Sequence, residues 1–164
     1  MSQPGLGGLN EWIDDPGLAR IINAFMVEFA LRYMREAAQL FGDDYDCAMI
    51  FLAVLESNGR HNIRQPYFLD DYSDARASLP AELARPISRK AISESLGLPR
   101  ETVRRKVSSL VKQGFLVEDE RGGVITARDV IGREEFLAAQ QRAIGYLRQF
   151  NADLRRYVAG SAEA

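Results

Sequence analysis

The sequence predicts a mainly α chain carrying one small β-hairpin. Three observations predict it. Apolar residues recur at helical spacing over residues 18–40 and 133–159. Two short helical stretches meet at Gly97 over a shared apolar seam. Two short β-prone runs then flank the polar stretch Asp119-Glu120-Arg121-Gly122-Gly123. A length of 164 residues suits one domain, or a small domain with helical extensions.

The elements follow in order. Residues 1–17, with Pro4, Gly5, Gly7, Gly8, Pro16 and Gly17, are expected as a flexible arm. A helix should begin near Pro16, with Asp14 or Asp15 as its cap. Leu18, Ile21, Ile22, Phe25, Phe29, Tyr33, Ala37 and Leu40 give it one apolar face, and Gly42 should stop it after Phe41. Asp43, Asp44 and Asp46 complement the start of a second helix, which the apolar run CAMIFLAVLES makes a core helix ending at Asn58-Gly59. Residues 60–79, with Pro66, form a long connection, and a short helix is expected over Pro80–Arg85 with Ser78 near its start. Residues 18–85 thus form an N-terminal helical region.

Ser88 caps a helix running to Leu96, Gly97 makes the turn, and a second helix runs from Pro99 or Arg100 to Gln113, closed by Gly114. Ile92, Leu96 and Leu98 face Val103, Val107, Leu110 and Val111. Phe115–Glu118 and Val124–Ala127 make the hairpin. Residues 86–127 therefore read as a winged helix-turn-helix flanked by N- and C-terminal helices. In residues 128–164, Phe136, Gln140, Ala143, Leu147, Phe150, Leu154 and Tyr157 form a heptad seam that requires a partner, and Leu137, Ile144, Tyr146 and Val158 widen it.

Charge points to what the central segment binds. The chain as a whole carries −2, which argues against a general polyanion binder. The charge is unevenly spread, however. Residues 1–84 hold 6 basic and 13 acidic side chains, residues 85–117 hold 8 and 2, and residues 118–164 hold 7 and 8. A block of +6 therefore sits in a chain of nearly balanced charge, as expected of a head that docks on an anionic surface. Arg can donate two hydrogen bonds to guanine, and Glu can accept one from cytosine. Arg104, Lys106 and Lys112 add charge suited to phosphates, and Arg121 stands at the wing tip.

The stretch SRKAISESLGLPRETVRRKVSSLVKQGFL resembles the winged helix-turn-helix of the catabolite-activator (cyclic-AMP receptor) family of bacterial transcription regulators. Arg100-Glu101-Thr102-Val103, followed after one residue by Arg105, is the most specific part. The resemblance covers about 40 residues. It implies that Arg100, Glu101 and Arg105 read base edges and that Ser88, Arg89 and Thr102 contact the backbone. Pro99 departs from the small polar cap usual there, and residues 1–85 lack the glycine-punctuated β-roll that binds cyclic nucleotide in that family. The order of elements is similar to that of MarR-type regulators, which implies dimerisation through the terminal helices.

Other chemistry is poorly supplied. Cys47 is the only cysteine, so neither an intramolecular disulfide nor a thiolate metal cluster can form; it reads as a small core residue before a redox sensor. His61 is the only histidine and has no nucleophile patterned with it. Asp70, Asp71 and Asp74 lack the spacing of a calcium loop. Trp12, Phe25, Phe29 and Tyr33 suit a core or a dimer interface better than an effector pocket. The N-terminus lacks the pattern of a secretory signal, and no run is long and apolar enough to span a membrane. The expectation is a cytoplasmic, bacterial-type transcription regulator without enzymatic activity, cofactor or metal. It would bind double-stranded DNA as a homodimer through helix 100–113, with repression the simplest mechanism. Whether a small-molecule effector acts on it is left open. The alternative is a winged-helix protein-interaction or assembly module without specific DNA binding.

Overall fold

The structure, a computed structural model, describes residues 16–65, 68, 74, 80 and 83–161. Residues 1–15 of the expected arm, with Trp12, Asp14 and Asp15, lie outside these residues, as do Ser78, Asp70 and Asp71, while Pro16 and Gly17 of that arm are already helical. The helix expected at 80–85 is not continued: residues 81 and 82 lie outside too, Leu83 N–H donates to Pro80 O at 3.0 Å in one tight turn, and residues 84 and 85 are not helical.

The chain divides into two compact units, residues 37–140 and residues 1–36 with 141–164. The first carries the helix-turn-helix. Helix α1 (Pro16–Gln39) ends two residues before Phe41. Gly42 and Asp43 both take left-handed backbone, and Asp43 N–H donates to Ala38 O at 2.9 Å, which closes the helix end. Helix α2 (Tyr45–Gly59) starts at Asp44, whose Oδ1 accepts from Cys47 N–H at 3.0 Å. Its buried residues include Ile50, Phe51 and Val54, as its apolar sequence requires.

Three further helices and three strands complete the fold: β1 (Ile87–Ser88), α3 (Arg89–Leu96), α4 (Arg100–Lys112), β2 (Leu116–Glu118), β3 (Gly123–Thr126) and α5 (Glu134–Ser161). The sheet is antiparallel in the order β1-β3-β2. Ile87 pairs with Val124, and Val117 with Ile125. The expected hairpin is present, and β1 is an addition to it. A helix-turn-helix followed by this small sheet is a winged helix.

One core joins these parts. Ile50, Val54, Ile92, Val103, Val107, Leu110, Val124 and Val130 are all fully buried. Burying each such side chain contributes about 1.5–3 kcal/mol. Phe41, Phe51, Phe115 and Phe136 form an aromatic cluster, with Phe41 5.1 Å from Phe115 and Phe51 5.4 Å from Phe136 between ring centroids. With Asn62 and Ser93, Asn58 is one of three buried polar residues among those described. Its Nδ2 donates to Arg85 O at 2.7 Å, and its Oδ1 accepts from Thr126 N–H at 2.9 Å. It thereby links α2 both to the chain entering β1 and to the base of the wing.

The second unit is a pair of antiparallel helical segments from α1 and α5. Arg142 Nε donates to Glu36 Oε2 at 2.7 Å, and Tyr146 OH donates to Glu36 Oε1 at 2.6 Å. Phe29 meets Phe150 at 6.0 Å. Burial pushes the Glu36 carboxyl up, but the Tyr146 and Arg142 hydrogen bonds outweigh it and hold it below its ordinary value. The expected seam divides. Phe136 belongs to the core of the first unit, Phe150 faces Phe29, and Leu154 is buried, while Leu147 and Tyr157 are exposed. Met26, Val27, Leu31 and Ile144 are exposed as well, Leu31 at 64%. No helix among the described residues is long and apolar enough to cross a membrane.

Candidate nucleic-acid interface

The two helices of the motif are shaped by their ends. Ser88 Oγ accepts from Ala91 N–H at 3.1 Å and so starts α3. Gly97 takes φ +65°, which a β-carbon would disfavour, and this conformation turns the chain. Ser93 Oγ donates to Leu98 O at 2.6 Å and fixes the turn from inside. Pro99 precedes α4 without any side-chain cap bond, as its side chain dictates. Val103, Val107 and Leu110 bury one face of α4.

Glu101, Arg105 and Lys112 stand on the opposite side of the helix and Arg100 and Arg104 on its flank, all exposed. Its charge is partly compensated. Arg104 grips Glu101 with two hydrogen bonds, Nε to Oε2 at 2.8 Å and Nη2 to Oε1 at 2.6 Å. This pairing holds the Glu101 carboxyl below its ordinary value. Arg100, Arg105 and Lys112 have no carboxylate partner among the described residues. Thr102 is half-buried beside them.

Two basic residues expected at the phosphate backbone are engaged inside the protein. Arg89 donates to both carboxylate oxygens of Glu118 on β2, with Nη2 2.9 Å from Oε2. The pair ties α3 to the wing, and the Arg89 guanidinium holds the Glu118 carboxyl low. Lys106 turns sideways along α4 and donates to Asp44 Oδ2. Only 15% of the Lys106 side chain is exposed, against 32% for Asp44. Burial raises the Asp44 carboxyl, but the Lys106 and Cys47 hydrogen bonds bring it below its ordinary value. Asp44 therefore both caps α2 and anchors the recognition helix. These partners lie 29 and 62 residues apart in sequence, so spacing gave no sign of them.

The wing is built by Asp119. Its Oδ1 accepts from Arg121 N–H at 2.9 Å and Gly123 N–H at 2.6 Å, which leaves the Arg121 side chain exposed at the tip. Gly123 is required on steric grounds, because a β-carbon there would stand 2.6 Å from Pro86 Cβ.

The remaining reactive residues take no part in this surface. Cys47 is buried, and burial with the nearby Asp44 charge pushes its thiol up to about 11, which suits a core residue rather than a reactive thiolate. His61 is exposed beyond α2. No group of three metal-ligating side chains occurs among the described residues.

Residues 81–120 match the family model of the IclR helix-turn-helix domain. The match spans α3, α4 and β2. It agrees with the DNA-binding part of the resemblance drawn from sequence and does not carry the catabolite-activator or MarR names with it. No curated protein and no solved structure matches the chain. The chain carries a helix-turn-helix segment similar to that of IclR, which supports a DNA-binding regulator of transcription.

Proposed function

We propose that the protein is a sequence-specific transcription regulator that binds double-stranded DNA as a homodimer in the cytoplasm, with α4 in the major groove. The observation that carries this reading is that Arg100, Arg105 and Lys112 are exposed on α4 and make no ion pair among the described residues, while Val103, Val107 and Leu110 hold the helix to the core. Arg100 and Arg105 read guanines, and Glu101 reads a cytosine or orients Arg104. Ser88, Thr102, Arg104, Lys112 and Arg121 position the backbone. Arg89 and Lys106 act through their internal ion pairs, holding the wing and the recognition helix in place. Residues 86–127 are the reading head.

The homodimer reading rests on the second unit. Two helical segments alone leave Met26, Val27, Leu31, Ile144, Leu147 and Tyr157 in water, and a second copy supplies the missing apolar surface. A two-fold dimer would present two recognition helices to an inverted repeat.

Selection of bound duplexes from a random library tests the whole proposal, because it yields the site, its symmetry and its spacing. Arg100→Ala and Arg105→Ala should each weaken the selected site by about 1–3 kcal/mol and relax preference at one base pair. Lys112→Ala should weaken all sequences alike. Enrichment of no sequence, or equal retardation by wild type and both Arg variants, would favour a protein-interaction module instead.

A further inference from the structure

A cavity of about 250 Å³ lies beside the recognition helix, within the unit of residues 37–140. It opens between the turn after α1, the start of α2, and the flank of α4. One water needs ~10–15 Å³ of such space, so there is room for a small organic molecule.

Its chemistry is two-sided. Phe41 and the buried Leu110 supply apolar wall. Arg105, Ser109 and Gln113 line the polar side, three residues along one flank of α4. Gln113 Nε2 donates to Ser109 Oγ at 2.9 Å, which leaves the serine hydroxyl hydrogen and the second amide N–H of Gln113 available. Arg105 brings a guanidinium with no carboxylate partner among the described residues. Lys106 also lines the cavity, but Asp44 already neutralises it. The site therefore offers one guanidinium without an ion pair, its charge only partly offset by Glu101 one turn back. Asp44 sets an upper limit as well, since its carboxylate on the wall repels a dianion.

We propose that this cavity is an effector site for a small monocarboxylate with an apolar body, and that its occupant competes with DNA for Arg105. The carboxylate takes the Arg105 fork in a two-bond pairing, with Ser109 and Gln113 as further donors. The apolar body lies on Phe41 and Leu110. One guanidinium cannot hold a ligand carboxylate and a guanine edge together, so acid and DNA exclude each other. The competition rests on the DNA-binding reading above; the binding of the acid does not. At a free acid concentration about nine times its dissociation constant, apparent DNA affinity should fall about tenfold per protomer.

The test uses the full-length protein with benzoate and phenylacetate as probes and their primary amides as neutral matches. Calorimetry should show one site per chain for at least one acid and none for its amide. Gln113→Glu places a negative charge at the rim of the cavity and should abolish the heat, while Gln141→Glu, outside it, should leave the heat unchanged. Titrating the acid into the complex with a library-selected duplex should release the DNA, and the amide should not. Absence of heat from both acids, equal binding of acid and amide, or acid binding untouched by Gln113→Glu overturns the site. Acid binding that leaves the DNA complex intact overturns the competition. If no duplex is ever selected, the DNA-binding reading fails, and calorimetry alone decides the site.

Discussion

The salt dependence of DNA binding counts the cations presented to phosphates, and the internal ion pairs set what that count should be. On duplex DNA, log K falls with log salt by about 0.9 for each phosphate neutralised. Of the cations suited to phosphates, Arg104, Lys112 and Arg121 are exposed, whereas Arg89 and Lys106 are each tied to a carboxylate on another element. Three such cations per protomer give a dimer a slope of about −5, while Arg89 and Lys106 acting as well would give about −9. Lys106→Met isolates the difference. If Asp44 holds Lys106 away from DNA, the variant keeps the wild-type slope, whereas Lys112→Met lowers it by about 2 in the dimer. The same change should cost some stability, because Asp44 keeps only its helix-capping bond. A pair 15% and 32% exposed stands between a surface pair and a buried one, so the loss should be about 1–2 kcal/mol. Fluorescence anisotropy across a salt series reads the slope, and urea unfolding reads the stability. A wild-type slope near −9, or a fall of about 2 on Lys106→Met, refutes the assignment of Lys106 to an internal role.

Three further outcomes can be measured. Ile92→Ala empties a fully buried position in the motif and should cost about 2–5 kcal/mol in urea unfolding; a loss near zero would show that the α3–α4 seam is not the core it looks to be. Leu31→Glu with Leu147→Glu should convert a dimer to a monomer in light scattering, and an unchanged mass would remove these side chains from the interface. Glu118→Gln tests the Arg89 pair through pH. The Glu118 carboxyl is held low in the folded state, so the stability it contributes is present above the ordinary glutamate range and is lost as pH falls through the folded value. The melting-temperature gap between wild type and Glu118→Gln should therefore be widest at neutral pH and close on acidification; a gap independent of pH contradicts the pairing.

Local periodicity made most of the fold legible. Helices α1 and α2 and the two helices of the motif follow from apolar spacing and from Asp44, Ser88, Gly97 and Gly114, each of which acts within a few residues of itself. Strand β1 is not legible in the sequence, because two residues carry no alternation and its partner Val124 is 37 positions away. Asn58 read only as a helix stop, although it is a buried link to Arg85 and Thr126. The candidate site was legible as a list of residue types but not as an electrostatic surface. Composition gives the +6 block, yet only the folded chain shows Lys106 and Arg89 turned to Asp44 and Glu118. Phe41 likewise looked like the last residue of a helix, and it lies instead in an aromatic cluster that also needs Phe136.

The links made by Asn58 bear on transplantation. A graft of residues 86–127 would carry the wing away from the amide that holds its base and would strip Val103 and Val107 of the α2 side chains in their core. A chimera meant to exchange DNA preference should take its boundaries at 37 and 140, or else leave the scaffold alone and recode only the exposed positions 100, 101 and 105.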